Sequence, residues 1–274
     1  MAIEYADSHG HLTMVFEGGA LKSAPRAPSA AEATELVERA RDAGVTRILV
    51  PATDRDDQRR TVEIAERFEG VYAAVGFHPH EAKEFDEDRD LRLFEECCRS
   101  EKVVAVGEIG LDYHYDHSPR DVQQRVVAAQ LRFAKGRNLP VLLHNRLSEA
   151  DLLPILEKEY PGVPETPRGV FHSFCADVAT GERALALGYL VSFSGMITFK
   201  SADNVRDAAA ALPLASMLIE TDAPYLAPAP FRGKPNESGY LPRTAARLAE
   251  VKAVSVEEVA RVTTANFRRL FRVP

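Results

Sequence analysis

Eight short aliphatic runs punctuate the chain, at residues 3–6, 46–52, 71–77, 103–110, 140–144, 169–174, 189–195 and 217–221, with helically patterned segments between them. Most of the runs lack the apolar–polar alternation of a strand with one wet face, so they read as parallel strands covered on both sides. The intervening segments carry helix signals. Ser29 and Glu32 form a capping box, Ala33, Leu36, Val37 and Ala40 mark one face, and Gly44 closes the helix. Ser118-Pro119 opens another, with Val122, Val126, Ala129 and Phe133 on one face. A strand and a helix alternating eight times over about 250 residues is the accounting of a closed eight-stranded parallel β/α barrel of the TIM type. No linker splits the chain, so residues 1–274 are expected to form one domain. A doubly wound open sheet would carry a Gly-rich phosphate turn after its first strand, where this chain has "DSHGHL". The Gly/Ala/Pro-rich residues 17–30 fall between that strand and its helix and are expected to form a loop over the barrel mouth.

The net charge is −7, so no global positive field draws the chain to nucleic acid or to an anionic membrane; local cations would have to do so. The cysteines are few and odd in number, Cys97, Cys98 and Cys175, which suits a reducing compartment. The adjacent pair reads as buried or half-buried filler. The first twenty residues lack a basic start and a long apolar stretch, and no run approaches the roughly 18 apolar residues of a membrane span. A cytoplasmic protein with no membrane partner is expected, a monomer being its simplest state.

Ligand-type side chains collect where the strands end. His9 and His11 follow the first, His78 and His80 the third, Glu108 ends the fourth, His144 the fifth, His172 lies in the sixth and Asp222 ends the eighth. In a barrel those ends converge on one face, where active sites lie. Imidazoles and carboxylates without thiols suit zinc, manganese or magnesium. His9 and His11, two apart on an extended segment, project to the same side. The set exceeds the three or so protein ligands of one open tetrahedral ion. Two ions about 3.5 to 4 Å apart, bridged by a carboxylate, would use it all. His78, first off its strand, is expected to be the inward member of "HPH", and His114 and His117 read as loop residues.

The stretches "DSHGHL", "VGFHPH", "GEIGLDY", "LLHNR", "FHSF", "SFSGMITFKSA", "IETDAPYLAP", "RGKPNESGYLP" and "TTANFRRLF" run in this order along almost the whole chain. Together they resemble the TatD-type metal-dependent deoxyribonucleases of the amidohydrolase superfamily, whose fold is the same barrel. The resemblance implies that His9, His11, Glu108 and Asp222 hold one divalent ion and that Glu108, His144 and His172 hold a second, Glu108 bridging them. It implies a magnesium- or manganese-dependent nuclease, zinc being a further occupant, that trims DNA from the 3′ end; RNA or another phosphoester is the alternative partner. Two departures stand out: residues 17–30 replace a shorter link, and Gly10 stands where relatives often carry Cys, on the side away from the metal.

On this reading a water bridging the ions has its pKa lowered from about 15.7 toward 7, and the resulting hydroxide attacks phosphorus in line. Asp222 is expected to orient or deprotonate that water, and His78 to bind a phosphate oxygen or protonate the leaving group. Arg146, first, then Lys200, Arg232 and Lys234 are candidate cations for the substrate phosphates. Asp112 reads as the orienter of a neighbouring ligand or a turn carboxylate, Asp7 as a supporting carboxylate, and Tyr225 as a nucleotide contact or packing. In the last stretch Ala265, Phe267, Leu270 and Phe271 suit a helix sealing the barrel. The same hydroxide attacks carbon, which makes a lactonase, amidase or aminoacyl-tRNA deacylase the rival activity; "RGKPNE" favours a phosphate substrate. A non-catalytic scaffold would lack ligands, and every expected position is filled.

Overall fold

The computed structural model describes residues 3–16, 25–163 and 165–274. Its centre is one eight-stranded parallel sheet of β1 (Tyr5–Asp7), β4 (Val45–Pro51), β5 (Val71–Val75), β6 (Val103–Asp112), β7 (Val141–Arg146), β8 (Gly169–Phe171), β9 (Tyr189–Phe193) and β10 (Met217–Ile219), in that spatial order. The two ends of the sheet meet. Ser8 N–H donates to Ile219 O at 3.1 Å, Asp222 N–H to His9 O at 2.8 Å and His11 N–H to Ala223 O at 2.8 Å, which curls the sheet into the expected barrel. A two-stranded antiparallel pair, β2 (Val15–Phe16) and β3 (Pro25–Arg26), was not foreseen, because strands of two residues carry no periodic signal. Most of the 17–30 segment, residues 17–24, lies outside the described residues.

Helices α1 (Ala30–Asp42), α2 (Asp57–Arg67), α3 (Glu87–Cys97), α4 (Arg120–Arg137), α5 (Glu149–Glu159), α6 (Val178–Ala186), α7 (Asp203–Ala211) and α8 (Leu241–Lys252) lie between the strands or after the last. The capping box of α1 forms as read: Glu32 N–H donates to Ser29 Oγ at 3.2 Å and Ser29 N–H to Glu32 Oε2 at 2.7 Å. Ser118 does not cap α4. Its Oγ donates to His80 O at 2.7 Å and accepts from Lys83 N–H at 3.1 Å, tying the β5 loop to the β6 loop instead.

Side-chain alternation divides the core. Ala6, Leu49, Ala74, Ala105, Leu142, Val170, Leu190 and Leu218 fill the barrel interior. Their neighbours Ile48, Val75, Val106, Leu143, Phe171 and Val191 pack outward against the helices. The last helix, α9 (Val256–Phe271), packs Phe267, Leu270 and Phe271 onto the interior layer and so seals the end at which the strands begin. Ala265 is exposed and takes no part in that seal. Cys97 is buried at the end of α3 and Cys98 is half-buried. Among the described residues no helix is long and apolar enough to cross a membrane.

Candidate metal centre

With one end sealed by apolar residues, the polar side chains gather at the other. His144 points inward because it is two residues beyond Leu142, an interior residue of β7. Glu108 arrives differently from the expectation. It does not end its strand, since β6 runs on to Asp112. Between Val106 and Ile109 the register against β7 slips, three steps on β6 matching two on β7 from Val141 to Leu143. This bulge at Gly107 resets the alternation so that Glu108 faces inward while Val106 and Ile109 both face the helices. Glycine is required there: a Cβ on Gly107 would lie 2.6 Å from Leu142 Cβ. Asp222 also lies beyond its strand, three residues past Ile219 at φ +55°, a left-handed conformation that Asp tolerates better than most residues. His172 stands one residue past the end of β8.

Donor atoms crowd around the two oxygens of Glu108. Near Oε2 lie His9 Nε2 at 3.3 Å and His11 Nε2 at 3.8 Å; the two nitrogens are 3.1 Å apart, and each is 3.7 Å from Asp222 Oδ1. Near Oε1 lie His144 Nδ1 and His172 Nε2, each at 2.9 Å, with 3.2 Å between them, and His78 Nε2 at 3.4 Å. Donors of one tetrahedral ion with bonds of about 2.1 Å stand about 3.4 Å apart, so both spacings fit coordination spheres. The set fits a cation in a second respect. His9 and His11 are buried and neither Nδ1 has a hydrogen-bond partner, so no protein contact other than this cluster fixes their rings through a nitrogen.

A second layer sets the tautomers. The His144 and His172 rings each have a carboxylate on both sides, and carboxylates only accept; when a cation displaces the proton on the Glu108 side, the nitrogen facing the outer carboxylate keeps its own. His144 Nε2–H donates to Asp112 Oδ2 at 3.0 Å, which leaves the Nδ1 lone pair for the centre. His172 Nδ1–H donates to Glu220 Oε1 at 3.3 Å, which leaves Nε2. Glu220 was missed in the sequence, although alternation from interior Leu218 points it inward. It is fully buried and also accepts from Ser173 N–H at 2.7 Å and Ser8 Oγ at 3.4 Å. Asp112 combines the two alternatives, facing His144 through Oδ2 and holding its own turn through Oδ1, which accepts the backbone N–H groups of His114 and Tyr115. Asp7 supports the seam: its buried carboxylate accepts from Thr221 N–H and Oγ1, Ser238 Oγ and His9 N–H.

His78 faces Glu108 as expected, yet His80 also turns inward, donating Nε2–H to Asp112 Oδ2 at 3.0 Å. His78 Nδ1 accepts the His80 backbone N–H at 3.1 Å, so the neutral ring carries its proton on Nε2 and presents a donor, not a lone pair, to the centre. Burial, with help from His144 and His80, brings its pKa down to about 4 against the pull of Glu108. Burial alone would raise Glu108, but the imidazoles of His172, His78 and His9 and the bond from His144 hold it well below the usual carboxylate range. Burial opposes the charged form of His172 and of His144 too; carboxylates prevail and both are raised, His172 by Glu108 and Glu220, His144 by Asp112 and Glu108.

The four candidate cations scatter around the mouth. Arg146 ends β7 with its guanidinium 4.8 Å from the Tyr115 ring centroid, and Arg232 lies 3.9 Å over Phe199. Lys200 and Lys234 are exposed. None of the four forms an ion pair with a described residue. Tyr225 packs edge-on against Phe16 and is 39% exposed. His114 and His117 are exposed loop residues, as read.

The family model for TatD-related DNases matches residues 6–272. The metal-dependent hydrolase YabD of Bacillus subtilis is 41% identical over 239 residues, covering 87% of this chain and 92% of its own length. The metal-dependent hydrolase TatD of Mycobacterium tuberculosis is 38% identical over 241 residues, covering 86% and 89%. The crystal structure of YjjV, a TatD homologue from Escherichia coli, superposes with a TM-score of 0.88 at 35% identity and full coverage of both chains. The chain belongs to the TatD family of metal-dependent hydrolases.

Proposed function

We propose that this hydrolase is a deoxyribonuclease that uses two divalent ions, with magnesium, manganese and zinc as the candidates, and trims DNA from the 3′ end. The observation that carries the reading is the division of donors across Glu108: His9 and His11, with Asp222, lie toward Oε2, and His144 and His172 toward Oε1. His9, His11, Glu108 and Asp222 would hold one ion, and Glu108, His144 and His172 the other. Such ions, when bound, supply Lewis acidity toward a phosphoryl oxygen and toward the attacking water.

The chain's own groups supply the rest. Asp222 presents its remaining oxygen to the attacking water, orients it and accepts its proton. His78, neutral at working pH, donates Nε2–H to a phosphoryl oxygen; an imidazole with a pKa of about 4 holds no proton on Nδ1 to give a leaving group. Asp112 and Glu220 keep His144 and His172 in the ligating tautomers. Arg146 and Arg232, which form no ion pair with a described residue, offset phosphate charge that a chain of net charge −7 would otherwise repel.

A specific feature favours the rival activity on carbonyl or ester bonds. A cavity of about 200 Å³ opens beside His11; Leu12, Met14, Phe16 and Pro224 form an apolar part of its wall that would suit an acyl or alkyl group, while Glu32, Glu35, Arg39 and Glu237 line another part. One experiment separates the two: a labelled single-stranded oligonucleotide, a 3′-blocked copy and a panel of lactones and acyl esters are offered with manganese to wild type and to Glu108→Ala. Cleavage of the unblocked strand that Glu108→Ala abolishes supports the nuclease. Glu108-dependent turnover of the esters alone refutes it.

A further inference from the structure

Among the described residues exposed large apolar side chains are few, and Tyr115, Leu147 and Tyr225 sit on the loops after β6, β7 and β10, at the mouth of the site. Tyr115 is the most constrained of the three. It is 51% exposed, yet its loop is fixed by the carboxylate that orients a candidate ligand: Asp112 Oδ1 accepts the backbone N–H groups of His114 and Tyr115 at 2.9 Å each, while Oδ2 accepts from His144. Tyr113 N–H donates to Arg146 O at 2.9 Å and joins the same loop to the end of β7. The ring lies one imidazole away from the centre, since His80 touches both Tyr115, at 5.6 Å between centroids, and His144, at 6.2 Å. Over it stands the Arg146 guanidinium, which has no ion-pair partner among the described residues, and the His117 ring lies nearly parallel at 5.5 Å.

Tyr115 thus leaves half of a large aromatic surface in water at the mouth of the site, with a guanidinium and an imidazole against the rest of it. The geometry points to Tyr115 as a stacking platform for one unpaired nucleobase of a single-stranded DNA substrate, with Arg146 neutralising the phosphate beside that base. This inference rests on the phosphodiesterase reading above. It assigns the adjoining base subsite and a requirement for an unstacked strand, because a base paired within a duplex cannot lie on the ring.

The test compares two oligonucleotides of equal length, one of them abasic at the nucleotides flanking the cleaved bond. Stacking platforms contribute enough per base for wild type to prefer the normal strand by about tenfold in kcat/KM. Tyr115→Ala should lose that preference and Tyr115→Phe should keep it. A second readout needs no turnover. The chain contains no tryptophan, so Tyr115→Trp installs a single indole that can be excited apart from the tyrosines. In chelator, the normal strand should quench its fluorescence and the abasic strand should not. Equal losses for Tyr115→Ala on both strands, or equal quenching by both, would overturn the platform while leaving the nuclease standing. A wild type inactive on both strands would overturn the nuclease reading and the platform with it.

Discussion

Removing only the charge of Glu220 offers a sharp view of how the centre is held. In Glu220→Gln the amide oxygen can take the place of Oε1 and keep the bonds from Ser173 N–H and His172 Nδ1–H, and the amide nitrogen would face Ser8 Oγ, which can accept. Shape survives, but the negative charge that makes His172 Nε2 a better donor is gone. Loss of such a partner costs 10- to 100-fold in metal affinity. With the geometry retained the lower end applies, about tenfold or 1.4 kcal/mol. Glu220→Ala should do something different. It leaves the buried His172 Nδ1–H and the part-buried Ser173 N–H without an acceptor at about 1–3 kcal/mol each, so it should destabilise the fold by about 3 kcal/mol before any ion is added. Calorimetric titration of stripped protein with manganese, paired with denaturant unfolding and with exposed His114→Ala as the control, separates the two effects. A Glu220→Gln variant that folds normally and binds manganese as tightly as wild type would refute the role given to this carboxylate.

Further expectations follow from the same geometry. Glu108→Ala should lower manganese stoichiometry at both positions and activity by more than a hundredfold, whereas a variant that keeps one ion at full affinity would show that the carboxylate is not shared. Gly110 faces the His144 backbone, where a Cβ would lie 1.9 Å from the carbonyl oxygen at φ +148°, so Gly110→Ala should cost about 3 kcal/mol or more in chemical denaturation and weaken metal binding alongside. In metal-free protein the stabilising contribution of His144 and His172, both raised above 6.5, is complete below pH 6.5 and fades as pH climbs through their folded values. His78, lowered to about 4, acts on the other side: the unfolded chain binds the proton more readily, so stability falls as pH drops from 6.5 toward 4. Asp7, raised to about 6 by burial, opposes His78 over that range, so denaturation midpoints in chelator should fall as pH climbs above 6.5, and manganese affinity should rise with pH as protons are displaced; flat profiles would refute both. His78→Gln, which keeps a donor without a ring, should retain more activity than His78→Ala in the same oligonucleotide assay.

The barrel was legible because its strands are buried on both faces and so appear as unbroken aliphatic runs, and all eight lie where those runs fall. The ligand-type residues were legible because a barrel brings strand ends together whatever their separation in sequence. The way Glu108 reaches the centre was not. A bulge changes which face a side chain takes, and nothing in "VGEIG" distinguishes a slipped register from a regular one. Ser118 looked like a cap because local patterns cannot show that His80 and Lys83 compete for its hydroxyl. Glu220 was overlooked beside Asp222 because attention to strand ends favours the last acidic residue over the one whose alternation places it inside.

The seam of the barrel has a consequence for how this molecule comes into being. The bonds that join first strand to last are made by the same residues that gather at the centre: His9 O takes the Asp222 N–H, and His11 N–H reaches Ala223 O. Closure and assembly of the centre are one event, and that event waits for segments more than two hundred residues apart in the chain. A nascent or truncated chain lacking the β10 segment would have His9 and His11 but no facing Asp222, and no closed wall behind them. Hydrolytic competence is thus withheld until the β10 segment has been made and has closed against β1.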